Sequence, residues 1–313
     1  MANNRYSNAF ERYLQRLWPD RGGSCLRKEP LKIADHFDFD LQVIIPIYNV
    51  APYLRECLDS VFTQQSSYRI CVTMVDDGST DESGDIAEMY ATQHAEAVVI
   101  HQPNQGLSAA RNAGLEFLRA PRVYFLDSDD LLASPQALHH LLQRSIESGA
   151  DMTDGSMIHF DNQGQAFKQS IQVDSFASEK LFGYACNKIF RAEVFRDVQF
   201  PLGYLFEDTL LSVVLFWHFK RWASTSTITY RYRSNEQGLS QRYQKSFRII
   251  EAHWVTRQLL LDYVALGGDL SDEFKSCMNL EFRSTLRQIR HLGRPDVWLC
   301  ALCDMVLLRH HLF

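Results

Sequence analysis

No apolar run in this 313-residue sequence approaches the ~18 residues needed to cross a membrane, and the start, Met1-Ala2-Asn3-Asn4-Arg5, leads into no signal-peptide stretch. A membrane-spanning or secreted protein is not expected. Lys and Arg number 32 against 38 Asp and Glu, a formal net charge of -6. No cationic excess is left to neutralise a phosphate backbone, which excludes a general nucleic-acid binder. The seven cysteines (25, 57, 71, 186, 277, 300, 303) make no regular framework, and several lie in apolar runs where a thiol packs as a small hydrophobe, so a reducing cytoplasm fits best. Cys300-Ala301-Leu302-Cys303 has the spacing of half a zinc site but no second pair, and reads as helix packing. Internal repeats and low-complexity tracts are also missing.

What is present is enough apolar sequence for a full core, 46% hydrophobic against 22% charged. From about Leu41 to Met157, short apolar runs alternate with amphipathic stretches, the pattern of an α/β fold with a mostly parallel central sheet flanked by helices. Strands are expected at Gln42–Pro46, Ile70–Val75, Ala97–Ile100, Arg122–Leu126 and Met152–Ile158. Helices are expected from Pro52, after a Ser79/Glu82 capping-box spacing, and over Leu107–Leu118 and Pro135–Ser148. The pattern then breaks down, with a turn at Asn162-Gln163-Gly164, a helix over Asp208–His218 and a short strand near Thr227–Tyr232. Three helical stretches (Phe247–Leu266, Asp272–Leu292, Pro295–Arg309) form a C-terminal α-helical appendage. The expected division is a helical extension over 1–40, a sheet domain over 41–246 and a helical region over 247–313.

The run Tyr124-Phe125-Leu126-Asp127-Ser128-Asp129-Asp130 puts three carboxylates at the end of an apolar strand, where a β/α unit opens its ligand crevice. Like charges so close repel by about 1 kcal/mol per pair at 4 Å in water and more in a drier cleft. A bound cation is the natural remedy, and hard oxygen ligands favour Mg²⁺ or Mn²⁺ over zinc. Asp76 and Asp77 end a second apolar run. Right-handed crossovers would bring both acidic groups to one sheet edge.

Three further features carry chemistry, each with a structural alternative. At Pro46-Ile47-Tyr48-Asn49 an exposed aromatic can stack on a flat base while Asp76 or Asp77 accepts from its ring N–H, although Asp-Asp-Gly-Ser is also ordinary turn chemistry. In Asn104–Gly114, small residues open a helix and Arg111 can meet a phosphate or form an ion pair with Asp76 or Asp127. Asp208, before the apolar run Leu210–Phe219, falls near a helix N-terminus whose dipole keeps it ionised, either as a proton acceptor or as an N-cap.

Taken in order, Pro46–Asn49, Tyr53-Leu54 with Cys57–Val61, Val75–Asp81, Asn104–Ser108 with Ala110–Asn112, Phe125–Asp130, Asn187–Arg191 and Glu207-Asp208 resemble the bacterial family 2 glycosyltransferases of the GT-A fold. The likeness covers about Leu41 to Ser240 and excludes both ends of the chain. It implies that Pro46, Tyr48 and Asp77 bind the base end of a nucleotide-sugar donor, supported by Asp76 and Arg111. It implies a DxD motif at Asp127 and Asp129 for Mn²⁺ or Mg²⁺, with Asp129 the more direct ligand and Asp127 partly engaged with the ribose. Asn187 and Lys188 would line the sugar pocket, with Lys188 alternatively paired to a carboxylate. Asp208 would be the general base and Glu207 its neighbour for acceptor positioning. Tyr230–Arg233 with Gly238–Ser240 looks like a mobile segment over the donor diphosphate. The implied reaction is inverting transfer, with UDP preferred, to a glycan or lipid-linked glycan.

Rival readings remain at this point. A Rossmann oxidoreductase should carry glycines after its first strand, and Tyr48–Pro52 has none. Asp127-Ser128-Asp129 alone would also suit an Asp-dependent phosphohydrolase, and an inactive binding or scaffold module is a third option. The expected location is cytoplasmic, at most peripheral on the inner membrane face. One helical face carrying Phe10, Tyr13, Leu14, Leu17 and Trp18 beside Arg12, Arg16 and Arg21 could rest on an anionic membrane, on a partner or homo-oligomer, or on its own domain. The tail residues Trp298, Leu299, Leu302, Met305 and Val306 raise the same choice, with core packing the default.

Overall fold

The structure, a computed structural model, describes residues 22–175, 183–235 and 246–312. They belong to two compact units, Leu26–Phe200 with His218–Glu236, and Met1–Cys25 with Pro201–Trp217 and Gln237–Phe313. The units interleave along the chain, whereas the sequence suggested consecutive blocks. Residues 22–40 contain no helix; they run as irregular chain with one bridge, Leu26 to Val198. The amphipathic face over Phe10–Trp18 lies outside the described residues.

The first unit is built on β1 (Leu41–Ile47), β2 (Ile70–Asp76), β3 (Ala97–His101) and β4 (Arg122–Phe125), which pair in parallel in the order β3-β2-β1-β4. Every residue of β1 is buried, as expected of a central parallel strand covered on both faces. Val43, Ile45 and Ile47 meet Leu54, Leu58 and Val61 of α1 (Ala51–Phe62) and Ile86 and Tyr90 of α2 (Ser83–Gln93). On the other face Gln42 and Ile44 meet α3 (Leu107–Glu116). A buried amide is tolerable only when bonded. Gln42 donates to Thr73 Oγ1 (2.9 Å) and to the Gly114 and Phe117 carbonyls (3.0 Å each), and accepts from Arg119 N–H (2.8 Å). A Cβ on Gly114 would lie 2.4 Å from Ile44 Cγ2, so the glycine permits this close helix–sheet approach.

The remaining strands extend the sheet through β8 (Lys188–Arg191), β6 (Met152–Phe160), β9 (Trp222–Arg233) and the two-residue β5 (Leu131–Leu132), with β7 (Ala166–Ser170) paired to β6. Strand β8 runs antiparallel to both β4 and β6, while β6 and β9 are parallel, so β4, β6 and β9 point the same way. Leu138, Leu141 and Leu142 of α4 (Ala137–Ser148) join the main core.

Local details depart from expectation. Glu82, not Ser79, precedes α2, and no capping box forms. The Ser79–Ser83 loop instead caps the start of α1: Ser79 Oγ, Ser83 Oγ and Asp81 Oδ2 accept from the N–H groups of Asn49, Val50 and Ala51 (3.1, 2.9 and 3.1 Å). The helix expected over Asp208–His218 has a π-helical stretch, Leu211–Leu215, before a last α turn, Phe216–His218.

In the second unit, a 3₁₀ turn (Phe247–Ile250) leads into α5 (Glu251–Ala265), followed by α6 (Asp272–Arg290) and α7 (Pro295–Leu312). Ser271 Oγ caps α6 through Phe274 N–H (3.2 Å). Its buried acids are partnered: Glu251 accepts from Leu205 N–H (2.9 Å) and Arg248 Nε (2.5 Å), and Asp304 meets His253 and Arg257, both at 3.0 Å. The default packing of the tail holds for Met305, which is buried, but Leu299 and Val306 are exposed. Cys303 and Cys277 are exposed as well, so the packing reading of the cysteines fits Cys25, Cys57, Cys71 and Cys186. No helix of the described residues is long and apolar enough to cross a membrane.

Candidate active site

Strand order reverses at β1, whose partner β2 leads on to β3 while β4 lies on its other side. Ligands of open α/β sheets bind outside the carboxyl ends at such a point. Pairing between β1 and β4 stops at Ile44–Phe125, with Leu126 N–H donating to the Ile44 carbonyl at 3.1 Å. Beyond it stands Pro46, which has no N–H to donate, so the strands can part there without leaving a donor unsatisfied. The gap is flanked by Tyr48, which is half exposed, and by the loop Asp127–Asp130. Asn49 adopts a left-handed φ of 50° and accepts from Thr80 N–H at 2.7 Å, fixing the chain beside Tyr48.

The β2 carboxylates are buried and engaged. Asp77 Oδ1 accepts from Gln102 Nε2 (2.7 Å) and Gln105 N–H (2.9 Å), and Oδ2 from Gly106 N–H (2.8 Å), so this side chain organises the loop before α3. Asp76 accepts from Ser79 N–H (3.0 Å) and meets His101 Nδ1 (2.9 Å), whose Nε2 meets Glu88 (2.7 Å). Burial pushes the Asp76 carboxyl up, but the bonds from Ser79 and His101 outweigh it and hold it below the usual carboxylate range. His101 is raised by its bond to Glu88 and then by Asp76. Sequence reasoning missed this histidine, whose carboxylate partners lie 25 and 13 residues away.

The three acids of the β4 loop have different surroundings. Asp127 Oδ1 pairs with Arg111 at 3.0 Å, settling the choice between Asp76 and Asp127. Arg111 is buried with its guanidinium 5.2 Å from the Phe200 ring and 6.0 Å from Phe125. Asp130 is buried; Oδ2 accepts from Tyr230 Oη (2.7 Å) and Oδ1 from Arg233 N–H (2.6 Å). Burial, then Asp129 and Asp127, push its carboxyl well up. Asp129 is partly exposed, with Oδ2 accepting from Asn235 Nδ2 at 2.9 Å, and burial with the charge of Asp127 lifts it despite that bond.

Asn187 and Lys188 differ from expectation. Both are fully buried, so neither lines an open pocket. Lys188 Nζ lies 3.3 Å from Asp154 Oδ1, the alternative raised for it, and Asp154 Oδ2 accepts from Gln172 at 2.8 Å. Asn187, at a left-handed φ of 60°, donates to the Gly155 carbonyl (2.6 Å) and accepts from Thr229 Oγ1 (2.6 Å). The segment Tyr230–Arg233 is also not a mobile cover; it is the end of β9, while Gly238–Ser240 lies outside the described residues. Glu207, buried, and Asp208, partly exposed, sit in the turn that opens the helical stretch of the second unit.

The β4 loop fits a divalent cation. Asp127 and Asp129 each keep one carboxylate oxygen that accepts no hydrogen bond from the described residues, and the upward pull on Asp129 is what a nearby positive charge would relieve. No group of three or more His, Cys, Asp or Glu among the described residues forms a complete cage. That suits a cation such as Mg²⁺, which keeps waters and substrate phosphates beside one or two carboxylates.

An open α/β sheet with a switch-point crevice edged by acids is the architecture of the GT-A fold. The model of Glycosyl transferase family 2 matches residues 42–208, more than half of the chain, and the chain belongs to that family. Glycosyltransferase GlyA of Streptococcus pneumoniae is 32% identical over 298 residues, covering 83% of this chain but 42% of its own length, so the chain spans less than half of that relative. Among solved structures, S. aureus TarS 1-349 in complex with UDP has a TM-score of 0.57 at 20% identity, covering 81% of this chain and 70% of that one. Mannosyltransferase PcManGT from Pyrobaculum calidifontis, in complex with GDP-Man and Mn²⁺, has a TM-score of 0.58 at 17% identity, covering 97% and 85%. At these identities the likeness is one of fold.

Proposed function

We propose that this chain is an inverting, metal-dependent glycosyltransferase that moves a sugar from a nucleoside diphosphate donor, a UDP-sugar, to a hydroxyl of a glycan or lipid-linked glycan. Its setting in this reading is bacterial surface polysaccharide assembly, in the cytoplasm at the inner membrane face. One observation carries the proposal: the partly exposed Asp127 and Asp129 beside the gap where β1 and β4 part. The UDP in TarS and the GDP-Man with Mn²⁺ in PcManGT support nucleotide-diphosphate chemistry on this fold.

In this reading Tyr48 stacks on the base beside Pro46, with Asp76 and Asp77 shaping that end of the crevice. Arg111 holds Asp127, and Asp127 and Asp129 hold Mn²⁺ or Mg²⁺. A bound divalent ion supplies neutralisation of the charge that grows on the leaving diphosphate. Asp208 accepts the proton of the acceptor hydroxyl, and Glu207 helps position that acceptor. The acceptor oxygen bonds to the sugar C1 from the face opposite the breaking bond to the diphosphate, which inverts the anomeric centre. Motif resemblance alone supports the roles of Asp208 and Glu207.

The test is release of free nucleotide from UDP- and GDP-sugars with acceptor glycan, in Mn²⁺, Mg²⁺ or EDTA. Asp129→Ala abolishes transfer, and Asp208→Asn lowers it by about 10²–10⁴-fold, the usual contribution of a general base, with both variants folded. Full activity in both rejects these roles, and phosphate release from simple phosphoesters without sugar transfer would favour a phosphohydrolase.

A further inference from the structure

Strand β9 and the residues just past it reach every aspartate of the β4 loop. Tyr230 Oη donates to Asp130 Oδ2 (2.7 Å) and accepts from Asp127 N–H at a longer 3.4 Å. Arg233 donates its N–H to Asp130 Oδ1 (2.6 Å) and its Nε to the Asp129 carbonyl (2.7 Å). Asn235 donates to Asp129 Oδ2 (2.9 Å). Arg233 is itself fixed, its guanidinium 4.5 Å from the Phe160 ring and 5.0 Å from Tyr53, with one nitrogen 2.5 Å from Glu56 of α1. One fork thus ties α1, β6 and the acidic loop to the end of β9.

We propose that Arg233 and Asn235 are positioning residues that hold Asp129, on a loop that Tyr230 anchors through Asp130, with one carboxylate oxygen committed and the other kept for a divalent cation. The inference rests on the donor reading above and adds a set of residues to it. A carboxylate tethered through one oxygen and its own backbone carbonyl has already lost the freedom that cation binding would otherwise remove. A purely structural staple between β9 and β4 would need only the buried bonds to Asp130. The bond from Asn235 falls instead on Asp129, and both side chains are only partly buried, so it does little for folding.

Asn235→Ala is therefore the discriminating variant, with Arg233→Lys as a second that keeps the charge but not the fork. Mn²⁺ uptake is read from the electron paramagnetic resonance of the free ion, with and without saturating UDP, beside urea unfolding and the binding of uridine alone. The expected result for Asn235→Ala is Mn²⁺ binding about tenfold weaker, within the usual range for losing a partner of a metal ligand, with unfolding and uridine binding unchanged. Arg233→Lys also weakens Mn²⁺ while still binding uridine. Mn²⁺ binding equal to wild type in Asn235→Ala overturns the proposal and leaves the donor reading standing. Wild-type protein that takes up no Mn²⁺ with UDP overturns both.

Discussion

Replacing Lys188 by Met tests how the floor beneath the β4 loop is held. Lys188 and Asp154 have no exposed surface, and β8, which carries Lys188, pairs directly with β4. Without the ammonium, the buried Asp154 keeps its bonds from Gln172 (2.8 Å) and the Gly155 N–H but loses the cation paired with it. Breaking one side of a buried pair usually costs about 3–5 kcal/mol. The carboxyl has an escape, which is to take up a proton. At pH 7 that costs about 1.4 kcal/mol for each of about three units above its ordinary pKa, so the loss cannot exceed roughly 4 kcal/mol. Burial already raises Asp154 in the wild type, and Lys188 only partly offsets it, which trims the increment to about 2–4 kcal/mol. A carboxyl raised in the folded state loses stability as pH rises above its unfolded value, so the defect shrinks to about 1–2 kcal/mol at pH 5. Urea unfolding of wild type and Lys188→Met at both pH values reads this directly. An equal loss at pH 5 and pH 7, or none at either, would refute the argument, whereas recovery in Lys188→Met/Asp154→Leu would support it.

Two further outcomes follow from particular contacts. His101 is raised by Glu88 and Asp76, so its contribution is complete below the unfolded histidine value near 6.5 and is lost as pH rises through the raised value. The stability difference between wild type and His101→Gln should be larger at pH 6 than at pH 9 in thermal melts, and a difference growing with pH would contradict it. Gly114→Ala gains about 1 kcal/mol in helix propensity but brings a methyl to 2.4 Å from Ile44 Cγ2, so overpacking of about 1–3 kcal/mol should leave a net loss in urea midpoint. A stabilised variant would mean that α3 can move off the sheet freely.

Much of the first unit was legible because its strands are short apolar runs between turn residues. The six expected strands all appear, β1 to within a residue at each end, β6 two residues longer and β9 extending on both sides of the short run expected at Thr227–Tyr232. Strands β7 and β8 were not legible. Lys188–Arg191 is four residues long and opens with a lysine whose buried partner is 34 positions earlier, and Ala166–Ser170 is almost wholly exposed, so neither carries a period-2 signal. The Ser79/Glu82 spacing misled for a related reason: it is genuine capping chemistry, but its donors belong to α1, some 30 residues back. At the site, the acids announced themselves as a local run, while Arg233, 104 residues from Asp129, could be placed only as part of a loosely matched motif.

The division of labour within Asp127-Ser128-Asp129-Asp130 follows from which partners reach each carboxylate. Asp130 has both oxygens bonded and is buried, so it anchors the loop. Asp127 has Arg111 on one oxygen, which offsets its charge and fixes its direction. Asp129 receives only a neutral amide on its side chain, because Arg233 bonds its carbonyl instead. Among the described residues the one guanidinium bonded to these carboxylates is Arg111 on Asp127, because Arg233 reaches Asp130 through its backbone N–H; of the two acids pulled upward by burial and neighbouring charge, Asp129 is the one within reach of solvent. An incoming divalent ion gains most at the carboxylate least compensated by the protein, since an anion already paired to arginine must share its field. In the proposed reading Asp129 is thus the stronger ligand and Asp127 the weaker, the same order that the family resemblance implies.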